Sequence, residues 1–79
     1  MDKDQHEYKK FLEEQLQWSI IRAQLLEEID EKLHEMKAIA EYAMENELNQ
    51  IEVKNLNGQL NILKNEVAAL EQQLNSAVH

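Results

Sequence analysis

Seventy-nine residues with sixteen acidic and eight basic side chains carry a net charge of −8, with one glycine, no proline and no cysteine. Such a chain forms one small domain at most, and without cysteine it holds neither disulfides nor thiolate metal sites. The negative balance argues against phosphate contacts with nucleic acid and against docking on an anionic membrane.

The N-terminal stretch MDKDQHEYKK lacks the apolar centre of a secretory signal. No apolar run approaches the ~18 residues needed to span a bilayer, so a cytoplasmic protein is expected. Glu, Gln, Leu, Asn, Lys and Ala dominate, the composition of long helices or coiled coils. From about residue 4 to residue 45 nothing interrupts a helix, and Asp2 or Asp4 suits its positive end as a cap. One apolar stripe follows it through Tyr8, Phe11, Trp18, Leu25, Leu26, Ile29, Leu33, Met36, Ala40 and Ala43. From Leu26 onward, Leu26, Ile29, Leu33, Met36, Ala40 and Ala43 keep the alternating three–four spacing of a coiled-coil seam.

Inside this helix the segment LQWSIIRAQLL, residues 16–26, is apolar on two sides. Leu12, Leu16, Ile20 and Ala23 make a second face away from Trp18, Ile21 and Leu25, while the first seam turns polar at Gln15, Ser19 and Arg22. A helix apolar on two sides needs neighbours on two sides.

Two signals compete for the turn. Asn57-Gly58 is the strongest local turn dipeptide. The stretch Asn46-Glu-Leu-Asn-Gln-Ile-Glu-Val53 offers a capping box, with Asn49 as N-cap, Glu52 three residues on, and Leu48 and Val53 placed as a hydrophobic staple. Asn46 suits the left-handed conformation that ends a helix. The second helix, about 50–76, repeats Val53, Leu56, Leu60, Leu63, Val67, Leu70, Leu74 and Ala77 as an unbroken heptad seam.

Register favours a turn at 46–49. An antiparallel hairpin then sets Ala43 against Val53, Ala40 against Leu56, Met36 against Leu60, Leu33 against Leu63, Ile29 against Val67 and Leu26 against Leu70. Lys32 falls beside Glu66 and Asp30 beside Lys64. A turn at 57–58 leaves most of the 26–36 seam unpaired and is disfavoured. A parallel zipper of the second helix alone brings Glu66 of one chain near Glu71 of another, so the hairpin is preferred.

The helices differ in length by about 22 Å at 1.5 Å per residue, so residues 1–17 overhang. The expected fold is all-α: residues 1–79 form a single antiparallel two-helix coiled-coil hairpin. Two hairpins assemble as a homodimer into a four-helix bundle, each overhang covering the other; a tetramer is the other expected assembly. The expected interface is Tyr8, Phe11, Leu12, Leu16, Trp18, Ile20, Ile21, Arg22 and Leu25. Against this stand plain core for Trp18, and a second helix that packs further along and covers one face internally. Arg22, at a seam position opposite Leu74, is expected to reach out to a glutamate or to close a polar layer between subunits.

The chemical motifs are few. Glu31-Lys-Leu-His34 has the E-x-x-H spacing of helical carboxylate metal proteins, with Glu27 and Glu35 nearby. Glu31 and His34 fall opposite the seam, however, and the second helix brings no histidine before His79, so a solvated charged face is expected. No serine neighbours a histidine at helical spacing, and there is no glycine-rich loop to cradle a phosphate. No catalytic residue, metal site or cofactor is expected.

The segment Asn57-Gly58-Gln59-Leu60-Asn61 lies where, in the small sporulation-regulatory aspartyl-phosphate phosphatases, the second helix carries Ser-Gln-Glu-Leu-Asp. The chain resembles that family in being a short acidic helix pair. Leu60 alone matches in place, and the motif's serine and acidic residues are missing, so the resemblance implies shape and carries no activity across. Small secreted hairpins with a Trp-x-Gly turn are not matched, because Trp18 is mid-helix.

These readings point to a non-enzymatic protein–protein interaction or assembly module that oligomerises through residues 8–26. The alternative is a small regulatory protein that binds and inhibits an enzyme or signalling domain through helix one.

Overall fold

The computed structural model describes residues 2–76. Two α-helices make up the described chain: α1, Asp2–Glu45, and α2, Gln50–Ser76, joined by residues 46–49. They pack against each other as a hairpin, a rod of 71 × 18 × 11 Å. Ala77, read as the last member of the α2 seam, and His79 lie outside the described residues.

Local chemistry explains where the helices stop and start. The Asn46 side-chain amide donates to the Tyr42 carbonyl at 2.8 Å, giving one of the last open carbonyls of α1 a partner. No described residue has positive φ, so Asn46 closes the helix through its side chain and not through the left-handed backbone read from the sequence. Asn49 opens α2: its Oδ1 accepts from the Glu52 amide at 2.8 Å, and its carbonyl accepts from the Val53 amide at 3.0 Å. Asp2 and Asp4 lie in the first turn of α1, where negative charge opposes the positive end of the helix dipole.

Gly58 lies within α2 with ordinary negative φ, and a Cβ built there meets nothing within 4 Å. The turn signal in Asn57-Gly58 is therefore overridden. A helix continuing through it keeps Leu60, Leu63, Val67 and Leu70 on one side of α2.

The core is a thin line. Ile29 of α1 and Leu63, Val67 and Leu70 of α2 are the buried hydrophobic residues among those described, and no described side chain is fully enclosed. Leu25, Met36 and Leu74 pack against Ile29, Val67 and Leu70. Trp18, Ile39, Leu48, Leu56 and Leu60 are half-buried.

This packing corrects the seam expected on α1. The covered face runs through Leu25, Ile29, Lys32, Met36 and Ile39, whereas Leu26 and Leu33 are 44% and 48% exposed and Ala40 and Ala43 are exposed. The apolar stripe of α1 is broader than one helix can cover, so α2 covers one edge of it. The chosen edge brings in the bulkier Ile39 in place of Ala40 and sets Lys32 against Glu66 at 2.5 Å. The same rotation turns Asp30 outward, so the Asp30–Lys64 pair read from the register is replaced by a contact of Asp30 with His34 on its own helix, at 3.5 Å. On α2, Val53 is 42% exposed and Glu52 is half-buried in its stead.

Candidate interaction surface

Helix α1 has 44 residues and α2 has 27, so at 1.5 Å per residue α1 is longer by about 25 Å. The excess lies at its N-terminal end, where every residue from 2 to 17 is exposed. A helix with no neighbour keeps its form here because its residues are strong helix formers, interrupted by neither glycine nor proline.

Six large apolar side chains stand open in and beside this projection: Tyr8, Phe11, Leu12, Leu16, Ile20 and Ile21, between 43% and 64% exposed. They wind around the helix, as the two-faced pattern of LQWSIIRAQLL requires. Single exposed leucines are ordinary; a contiguous set of this size is less common on a monomer's surface.

The nine residues read as an interface from sequence divide in the structure. Tyr8, Phe11, Leu12, Leu16, Ile20, Ile21 and Arg22 are exposed. Trp18 is half-buried. Leu25 packs on the hairpin's own core, so it serves the hairpin itself. Arg22 stands in solvent, where its charge carries no burial cost.

Sequence reasoning missed Leu26 and Leu33 as open positions, because it counted both in the hairpin seam. With Tyr8 and Leu12 they extend the apolar surface along the hairpin body. The signal that could have found them is the breadth of the stripe itself: Leu25 and Leu26 are adjacent and cannot both face one partner helix. Tyr42, Met44, Ile51 and Ile62 are also exposed, but they are scattered over the turn end and the outer side of α2.

Electrostatic features outside this surface are modest. The Lys32 ammonium is held above its ordinary value chiefly by its hydrogen bond to Glu66, with the charges of Glu66, Glu35 and Glu28 adding to the effect and partial desolvation opposing it. His34 donates from Nδ1 to the Asp30 carbonyl at 2.8 Å. Among the described residues no group of three or more His, Asp or Glu side chains is arranged to hold a metal ion, and no helix is long and apolar enough to cross a membrane. Tyr42, Glu52, Asn55 and Leu56 line a shallow recess near the turn, open to solvent.

Comparison of the chain with protein-family models, with curated proteins and with solved structures returns no match.

Proposed function

We propose that this chain is a non-enzymatic protein–protein interaction module that self-assembles through residues 8–26, two hairpins joining as a homodimer to form a four-helix bundle, and that it serves as an adaptor, scaffold or assembly factor. Its proposed setting is the cytoplasm.

The observation that carries the reading is the set of exposed large apolar side chains on and beside the part of α1 that projects past α2. Burying one large apolar side chain contributes roughly 1.5–3 kcal/mol, so six of them half-open to water represent a substantial unused driving force. The thin core supports the same reading. A chain of this length with four buried side chains among its described residues gains little from its own interior, and covering the projection adds burial to it.

The test is solution mass by light scattering after size exclusion, over about a hundredfold range of concentration, with circular dichroism for helicity. The wild type is expected to hold a constant dimeric or tetrameric mass. Leu16→Glu, at a position 63% exposed in the single chain, is expected to shift the mass toward monomer while the 26–74 hairpin stays helical. A wild type that remains monomeric throughout would overturn self-assembly. It would favour instead a small regulatory protein that lays α1 on an enzyme or signalling domain.

A further inference from the structure

Tyr42, near the end of α1, and Glu52, Asn55 and Leu56, in the first turns of α2, line a recess of about 410 Å³ beside the turn. Tyr42 is 50% exposed, and Glu52 and Leu56 are half-buried. Glu52 takes the covered place that the heptad pattern gives to Val53, so a carboxylate is turned partly inward where an aliphatic side chain is expected. Lys32, His34 and Lys37 are engaged with Glu66, Asp30 and Glu41, and none of them serves Glu52. Between residues 38 and 53 the chain holds Glu41, Glu45, Glu47 and Glu52 and no lysine, arginine or histidine. Lys54 follows closely in sequence, but at about 100° per residue it lies about 200° round α2 from Glu52.

We propose that this recess is a docking point for an arginine side chain carried by a basic segment of a partner protein. A guanidinium is a flat cation with five N–H donors and no acceptor. The Glu52 carboxylate and the Asn55 side-chain oxygen are acceptors for it, the Tyr42 ring offers a face on which it stacks, and Leu56 offers an apolar wall for its methylene stem. An anion would meet Glu52 with like charge, and an apolar group would leave that carboxylate unpaired. The site lies at the turn, away from the N-terminal projection, and stands whether or not the chain self-assembles.

The helix ends favour the same sign. The last turn of α1 holds no basic residue, so the negative end of its dipole adds to Glu45 and Glu47 in attracting a cation. The positive end of α2 is already met by Glu52 in its first turn and by the Asn49 cap. The chain's one arginine, Arg22, is on the same helix as Tyr42 and about 30 Å from it along the axis. The guanidinium must therefore come from outside the hairpin.

The test is an NMR titration of isotope-labelled full-length protein with an eight-residue peptide that alternates Arg and Gly, and separately with its Lys and Gly counterpart of equal charge. Circular dichroism checks that each variant keeps its helices. With the arginine peptide, shifts are expected to centre on Tyr42, Glu52, Asn55 and Leu56, the Asn55 side-chain amide included. Glu52→Gln should weaken binding about fivefold and Tyr42→Leu about threefold. Glu47→Gln removes the same charge from the exposed connection between the helices and should change binding less than about twofold. The lysine peptide should bind about threefold more weakly. Shifts spread over all the acidic residues, or equal losses from Glu47→Gln and Glu52→Gln, would mean that only net charge is sensed and would overturn the site. Equal affinity for the two peptides would overturn the assignment to arginine, and an absence of shifts at millimolar peptide would overturn the proposal as a whole.

Discussion

Lys32 of α1 and Glu66 of α2, 34 positions apart in the chain, meet at 2.5 Å across the hairpin, the ammonium donating to the carboxylate. The lysine occupies a position on the covered face of α1, between Ile29 and Met36, and leaves 26% of its side chain in solvent. Glu66 keeps 43% of its side chain in solvent, and the contact ties the rotation of α1 to the register of α2.

Because this pairing raises the Lys32 titration above the ordinary value of 10.5, its contribution to stability has a defined pH range. The group binds its proton more tightly in the folded chain, so the contribution is complete below 10.5 and is lost as pH rises through the folded value. Thermal unfolding of the wild type, Lys32→Met, Glu66→Gln and the double variant should show a favourable coupling at pH 7 that vanishes in strong alkali. A coupling unchanged across that range would mean the pair does not act through the lysine charge.

The face of α1 that α2 covers can be read from two truncations. Ile29→Ala removes a side chain from the centre of the core and should cost about 2–3 kcal/mol, toward the low end for such cavities because the core is thin. Leu33→Ala, at a position 48% exposed, should cost less than about 1 kcal/mol. Urea titration followed by circular dichroism distinguishes them. Equal losses would favour a seam through Leu26, Leu33 and Ala40.

The placement of the turn predicts opposite signs at two polar positions. Asn49→Ala removes the acceptor for the Glu52 amide and should lower stability by about 1 kcal/mol. Gly58→Ala adds a methyl group where a Cβ meets nothing and the backbone is already helical; it should raise stability by about 0.5–1 kcal/mol. Destabilisation by Gly58→Ala in a thermal melt would place a turn at 57–58.

The α2 side of the hairpin was highly legible. Leu56, Leu60, Leu63, Val67, Leu70 and Leu74 follow a single heptad row without competing apolar neighbours, and all are buried or half-buried. The cap at Asn49 was legible as well, because an Asn followed three residues later by Glu, before an apolar run, names the donor that needs an acceptor. Lys32 beside Glu66 followed from the register. On α1 the same reasoning went astray, since Leu25 and Leu26, and Ile39 and Ala40, offer two adjacent rows that periodicity weighs almost equally.

What the sequence by itself determined, then, is a pair of long helices folded back on one another, the chemistry that starts the second, and an N-terminal stretch too apolar on too many sides for a lone helix. All of these depend on local propensity and on the spacing of residues within one element. The tertiary structure alone decided which edge of α1 meets α2, and hence which leucines remain open. Those outcomes depend on fitting two surfaces together. The bulk of Ile39 and the Lys32–Glu66 contact select one rotation of the helix, and that rotation leaves Leu26 and Leu33 facing outward in line with Tyr8 and Leu12.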